Sequence, residues 1–209
     1  MAQRPNPQVS SRKQPKQARA NDLVAAVLDA AVQVLRTEGA SRFTTARVAE
    51  RAGVSVGSLY QYFPNKAAIL FRLQSDEWRQ TSALLHEILA DRRQPPQERL
   101  RTLVHAFLRS ECDEAEVRTA LGDAAPLYRD APEAAQARAS GSLVIREFMK
   151  EALPGVDEPT VVLAADVIET TLTQVGSSFS GTERTSQEIS AYADAMADMF
   201  CGYLARLSR

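Results

Sequence analysis

The chain has 209 residues, of which 44% are hydrophobic and 24% are charged, and its formal net charge is −1. This composition is that of an ordinary globular protein, no apolar run approaches the ~20 residues that cross a bilayer, and residues 1–20 lack the apolar segment of a secretory signal. We therefore expect neither a membrane protein nor a secreted protein. The sequence predicts a cytoplasmic protein in which Cys112 and Cys201, which are far apart in the chain, stay reduced.

The first part of the chain is basic and the remainder is acidic. Residues 1–66 contain 10 Lys and Arg against 4 Asp and Glu, whereas residues 67–209 contain 15 against 22. Residues 1–19 hold three prolines and almost no large apolar side chain, so we predict a disordered basic tail. The charge distribution favours a first part that meets a polyanion, although a basic tail that is merely solvated gives the same asymmetry.

From residue 22 onward the apolar periodicity is helical, and it first predicts a helix over residues 22–37. Thr44 is placed to cap a short second helix that ends near residue 52. Gly53 supplies the left-handed residue of a turn, and Ser55 caps another short helix over residues 56–63. Leu59 and Phe63 are predicted to be core.

Longer helices are predicted in the rest of the chain, separated by prolines and glycines. Asn65 caps the first of them. The predicted ranges are 66–90, 96–111, 114–121, 133–152, 158–179 and 185–207. We therefore predict an all-α protein.

The last two predicted helices carry apolar and small residues at spacings of three and four, which is typical of a helix-pairing seam. We predict that this seam contacts a second copy of the chain. Apolar residues off the seam, among them Leu163 and Val167, give each helix another face for its own subunit. The predicted interface residues are Val161, Ala165, Ile168, Leu172, Val175, Phe179, Ile189, Tyr192, Met196, Met199 and Tyr203.

The two short helices joined by a glycine turn have the form of a helix-turn-helix. In such a motif the second helix enters the major groove, and residues near its N-terminus reach the base edges. Val56, Gly57 and Ser58 are small enough to approach the bases. Gly57 has an alternative explanation, which is that it only relieves crowding.

Residues 43–70 resemble the signature of the tetracycline-repressor-like family of bacterial regulators, and the resemblance covers roughly residues 20–80. It implies a three-helix DNA-binding domain at 20–66, with the start of the fourth helix also contacting DNA, and a helical effector-binding and dimerisation domain at 67–209. In this second domain the last two helices would form a four-helix dimer interface, and a pocket would bind an effector. Many relatives carry His where this chain has Tyr62. The residues implied in DNA binding are Thr44, Thr45, Arg47, Val56, Gly57, Ser58, Tyr60, Tyr62 and Lys66.

The resemblance leaves the ligand class open. The candidate pocket residues are aromatic, apolar or basic side chains on the long helices, and each is also a normal core residue. They are Trp78, Leu85, His105, Phe107, Leu108, Tyr128 and Phe148. His86 and His105 match no compact zinc pattern with the nearby acidic residues, and no nucleophile elbow or phosphate loop is present, so we predict neither metal, cofactor nor enzyme.

The predicted function is a homodimeric transcription regulator, a repressor on family grounds, that binds a palindromic DNA operator and is released from it by an unidentified small molecule. An activator of the same fold is an alternative. Two further alternatives come from other classes: a helical protein-interaction module, and a small-molecule-binding or enzymatic bundle that does not bind DNA. In addition, Arg12, Lys13, Lys16 and Arg19 either form an arm that binds DNA or are simply solvated.

Overall fold

The computed structural model describes residues 8–10 and 18–208. Within these residues the secondary structure is helical and contains no strand, which confirms the predicted all-α class. The helices are α1 (Ala18–Glu38), α2 (Thr45–Arg51), α3 (Val56–Tyr60), α4 (Lys66–Ala90), α5 (Pro96–Asp113), α6 (Ala115–Ala124), α7 (Pro132–Ala152), α8 (Glu158–Ser180) and α9 (Ser186–Leu207), with 3₁₀ turns at Ala40–Arg42 and Ala125–Leu127.

The chain forms two compact units, and each is discontinuous in sequence. The first unit comprises residues 1–77 and 116–137, and the second unit comprises residues 78–115 and 138–209. The first unit therefore contains the predicted DNA-binding helices together with the first half of α4 and α6 from its second residue onward. The functional division at residue 66 stays a prediction, because compactness does not show which part binds DNA.

The helix starts in the first unit follow the predicted caps. The side chain of Thr44 accepts a hydrogen bond from the backbone N–H of Arg47, and Asn65 accepts one from Ala68 at 2.9 Å. α3 is shorter than the predicted 56–63. Its last turn tightens, with i to i+3 hydrogen bonds to the N–H groups of residues 61 and 62, since Pro64 disfavours a helical conformation in the residue before it.

Residues 8–10 differ from the predicted disordered tail, whereas residues 1–7 and 11–17 lie outside the described residues. Val9 is buried in the apolar core of the first unit. A single apolar residue between polar neighbours produces no periodicity, which is why the sequence pattern gave no sign of this contact.

In the second unit, α5 packs against both α8 and α9. Gly176 of α8 lets that helix approach α5 closely, because a Cβ at this position would lie 3.0 Å from Cε1 of Phe107. At the start of α5 the buried guanidinium of Arg99 binds the carbonyl of Leu89 and the carboxylate of Glu151, and so joins α4, α5 and α7.

Seven residues of the predicted interface seam lie in the core of the second unit and not on its surface. A helix with two apolar faces does not reveal from its spacing which face is outside, and here most of the seam packs inward while Leu163 and Val167 are exposed. The buried seam residues are Val161, Ala165, Ile168, Leu172, Phe179, Ile189 and Met196.

Among the described residues, no helix is both long enough and apolar enough to span a membrane. In the same part of the chain, no group of three or more His, Cys, Asp or Glu side chains is arranged to hold a metal ion. Cys112 and Cys201 are not disulfide-bonded, and burial raises the pKa of both thiols.

Candidate DNA-binding interface

The turn between α2 and α3 has the geometry that a helix-turn-helix requires. Gly53 has a φ of 66°, a left-handed conformation that glycine adopts without steric cost. The backbone N–H of Val54 donates to the carbonyl of Ala49 at 3.0 Å, which closes the turn. The buried side chains of Val48 and Leu59 lie in the same core, so the two short helices are held at a fixed angle.

The N-terminus of α3 is exposed. Val56 is 40% exposed although it is apolar, and Gly57 is exposed next to it. A Cβ on Gly57 would meet only Oγ of Ser55, at an unstrained 3.8 Å. Gly57 therefore does not relieve crowding within the chain, which removes the alternative explanation for it.

Ser58 is half-buried and is tied to the preceding cap. Oγ of Ser55 accepts a hydrogen bond from the backbone N–H of Ser58 at 3.0 Å, and the two hydroxyl oxygens are 2.8 Å apart. A hydroxyl has one donor and two acceptor positions. Ser58 can therefore keep the bond to Ser55 and still accept or donate a hydrogen bond at a base edge.

Two hydroxyl groups meet beside α3. Oγ1 of Thr45, in the first turn of α2, lies 3.1 Å from Oη of Tyr60, at the end of α3. Tyr60 is 39% exposed, so its hydroxyl is accessible and not enclosed in the helix bundle. Tyr62 is half-buried against the core of the first unit. One of the two hydroxyls donates to the other, so the pair keeps one O–H that can donate a hydrogen bond to a phosphate group.

Arg47 is engaged within the unit. Its Nη1 lies 2.5 Å from Oε2 of Glu38 and 3.0 Å from the carbonyl of Arg42. These contacts join the end of α1 and the 3₁₀ turn to α2. The structure therefore gives Arg47 a role in positioning the motif, and a phosphate would have to compete with Glu38 for its charge.

Arg42 is a basic residue that the sequence reasoning missed. It ends the 3₁₀ turn two residues before the cap of α2, and its side chain is exposed. Lys66, the first residue of α4, is exposed as well. The signal for Arg42 was its position immediately before the capped helix start, where backbone N–H groups already favour an anion.

The candidate effector residues are divided between the two units. Tyr128 belongs to the first unit, where its hydroxyl donates to the carbonyl of Leu121 at 2.9 Å and burial raises its pKa. The remaining six candidates belong to the second unit. His105 is at the surface with its ring 3.0 Å from Asp194, so it is not enclosed in the apolar interior. Leu85, Phe107, Leu108 and Phe148 are core residues, and Trp78 is half-buried.

Four residues of the predicted dimer seam keep some exposure. Tyr192 is 39% and Met199 53% exposed, and Val175 and Tyr203 are half-buried at the edge of the core. On α8 the exposed apolar side chains are Leu163, at 55%, and Val167, at 40%. Large apolar side chains thus remain uncovered on both helices in a single chain.

A capped helix-turn-helix with an open α3 N-terminus in an all-helical chain defines a DNA-binding regulator. Residues 27–73 match the model of the bacterial regulatory proteins of the tetR family, and residues 95–207 match that of the tetracycline-repressor-like C-terminal domain. The chain therefore belongs to the tetracycline-repressor-like family of transcription regulators.

Known proteins agree with this assignment to different extents. The nucleoid occlusion factor SlmA of Vibrio campbellii is 39% identical over 83 residues, which are 39% of this chain and 42% of SlmA. A Mesorhizobium loti structure assigned to the TetR family superposes with a TM-score of 0.71 at 16% identity, covering 90% of this chain and 98% of its own. The regulator FadR of Bacillus subtilis, solved with stearoyl-CoA, gives a TM-score of 0.65 at 19% identity, covering 84% and 96%.

Proposed function

We propose that this regulator is a homodimeric repressor that binds a palindromic operator and leaves it when a small molecule binds the second unit. The observation that carries the proposal is the open N-terminus of α3, where Val56 and Gly57 are exposed beside the capped Ser58. A helix end of this kind fits the major groove, and its first residues meet the base edges.

Around α3, the polar groups at the helix starts bind the DNA backbone. Thr44 and one hydroxyl of the Thr45–Tyr60 pair donate to a phosphate. Lys66 binds a second phosphate, and the hydroxyl of Tyr62 donates to the backbone nearby. Arg42 adds a charge, while Arg47 orients α2. Phosphate contacts of this kind position the protein, whereas the contacts of Val56, Gly57 and Ser58 to the bases determine the preferred sequence.

A second copy of the chain covers the exposed apolar residues of α8 and α9. Leu163, Val167, Tyr192 and Met199 are the core of this interface, with Val175 and Tyr203 at its edge. Burying apolar surface contributes about 25 cal/mol per Å², which is the main source of stability in such interfaces. The dimer then presents two copies of α3 to half-sites about one helical turn apart.

Release from DNA requires a ligand that prefers a different arrangement of the two copies of α3. A ligand shifts this equilibrium only by the difference between its affinities for the two arrangements. The stearoyl-CoA complex of FadR supports the idea that this architecture can hold a small molecule. In the present chain we place the site among the residues of the second unit, where Trp78, Leu85, Phe107, Leu108 and Phe148 supply an apolar lining.

The test is a selection of bound fragments from a genomic library by the full-length protein, followed by titration of one selected duplex and one random duplex at several salt concentrations. We expect the selected duplex to bind at least 10³-fold more tightly at physiological salt. Equal affinity for both duplexes would contradict a regulator and would favour a protein-interaction module. Transcription from the selected promoter, with and without the protein, then distinguishes repression from activation.

A further inference from the structure

Val9 is anchored in the first unit although its neighbours in sequence are polar. Its side chain is 2% exposed. Burial of this extent removes nearly all of the apolar surface of a valine from water, which is a substantial stabilising contribution for a segment of three residues. Other members of the same buried core are Phe63, Ala67, Ala131 and Ala134.

Hydrogen bonds on either side of Val9 connect this segment to the starts of two helices. The carbonyl of Gln8 accepts a hydrogen bond from Nδ2 of Asn65 at 3.1 Å, immediately before α4. Oγ of Ser10 donates to Oε1 of Glu133 at 2.8 Å, in the first turn of α7. The pKa of Glu133 is lowered by the hydrogen bond from its own backbone N–H and by that from Ser10, so the carboxylate is charged at neutral pH.

Both polar atoms of the Asn65 side-chain amide form hydrogen bonds. Its Oδ1 accepts a hydrogen bond from the backbone N–H of Ala68 and so caps α4, while its Nδ2 binds Gln8. Gln8 and Ser10 are two residues apart, and two extended residues span at most about 7 Å. Because one of them is bonded at the start of α4 and the other at the start of α7, the short segment bridges the two helix starts. This bridge restrains the orientation of the Asn65 cap.

We propose that residues 8–10 are a strap that positions the start of α4 for DNA binding. The proposal rests on the proposed function, in which Lys66, the residue after Asn65, binds a phosphate. By restraining the cap and the first turn of α4, the strap restrains the backbone that carries Lys66. A group that is held in place before binding loses less conformational freedom when it contacts DNA.

The first experiment is a double-mutant cycle on DNA affinity with the selected duplex, at a temperature well below the unfolding midpoint of every variant. Val9→Ser leaves all charges unchanged, and we expect it to weaken binding roughly 3- to 20-fold. Val9→Ile, which keeps an apolar side chain, is the matched control and should bind like the parent protein. In the Lys66→Ala background, Val9→Ser should have much less effect, because the strap acts through Lys66.

The cycle has outcomes that overturn the proposal. The proposal is overturned if the Val9→Ser variant binds DNA as tightly as the parent protein. It is also overturned if the losses of DNA affinity caused by Val9→Ser and Lys66→Ala are fully additive. Ser10→Ala is the second variant, and we expect a smaller loss in the same direction, since it removes one hydrogen bond and leaves Val9 in place.

The second experiment separates failure of the strap from failure of the proposed function, because it needs no DNA. Amide hydrogen exchange is measured on the full chain as the parent and as Val9→Ser. The strap predicts faster exchange at the amides of residues 68–71 in the variant, with unchanged exchange in α8. Unchanged exchange at residues 68–71 overturns the strap even if the protein binds DNA, whereas faster exchange in a protein that binds no DNA overturns the proposed function alone.

Discussion

The two compact units are stabilised in different ways. In the first unit, α2 and α3 have only 7 and 5 residues, and isolated helices of this length are unstable in water. They depend on caps, on a glycine turn and on a shared core. In the second unit, α5, α8 and α9 have 18 to 23 residues and are joined by a continuous apolar core. The first unit should therefore respond to single hydrogen bonds, and the second to buried volume and buried charge.

The largest expected effect is a difference in stability between substitutions on the buried face of α8 and on its exposed face. Leu172→Asp places a charge at a site that is 1% exposed, so we expect the free energy of unfolding to fall by about 4 kcal/mol or more. Leu163→Asp, on the exposed face of the same helix, should leave the fold intact and yield monomers. Urea unfolding and light scattering measure the two results. If the Leu172→Asp variant is folded and monomeric, Leu172 lies in the dimer interface, as first predicted from the sequence.

The next effect concerns the close approach of α8 and α5. Gly176→Leu must displace Phe107 and Glu111, and we expect a loss of about 1–3 kcal/mol in the free energy of unfolding. Gly122→Leu in α6 is the matched control, because a Cβ there meets nothing within 4 Å and leucine favours a helix over glycine. Urea unfolding of both variants checks the difference. Equal stabilities would show that α5 and α8 are not closely packed at Gly176.

Caps allow the same substitution to be compared in both units. Thr44→Ala removes the cap of α2, and Thr185→Ala removes that of α9, where Glu188 completes a capping box. Each should lower the free energy of unfolding by about 1 kcal/mol. Only Thr44→Ala should also weaken DNA binding, and it should do so on all duplexes alike. Reduced DNA affinity in Thr185→Ala at unchanged dimer content would argue against this separation.

The smallest expected effect is a dependence of stability on acidic pH. The pKa of Glu188 is lowered because its carboxylate accepts hydrogen bonds from the backbone N–H and the hydroxyl of Thr185. Its stabilising contribution is therefore complete above the ordinary glutamate pKa expected in the unfolded chain, and is lost as the pH falls through the lower folded pKa. Comparison of the chain with Glu188→Gln by thermal unfolding between pH 7 and pH 3 should show a smaller acid loss in the variant.

Most of the first unit could be predicted from the sequence, because its signals are local. Thr44, Gly53, Ser55 and Asn65 each act on residues within a few positions, so their chemistry is visible in the order of residues. The function followed from the same stretch, since the resemblance to the family lies there.

The features that the sequence did not reveal are contacts between residues outside its local patterns. The sequence gives no sign of the ion pair between Arg47 and Glu38, which lies nine residues earlier. Val9 carries no periodicity, and its core neighbours come from α4 and α7 as well as from α1. On α8 both faces are apolar over part of the helix, and only the packing of α5 decides which of them is buried. The proposed effector site would depend on tertiary contacts of the same kind.

The central claim is that α3 reads the major groove and that a second subunit supplies its twin. Methylation interference at guanine N7, an atom of the major groove, tests this most directly on a duplex chosen by the selection. We predict two clusters of interfering guanines about 10 base pairs apart, and a change of base preference within each cluster for Ser58→Ala. Tight binding of that duplex with no interference at guanine N7, or with a single cluster, would contradict the account.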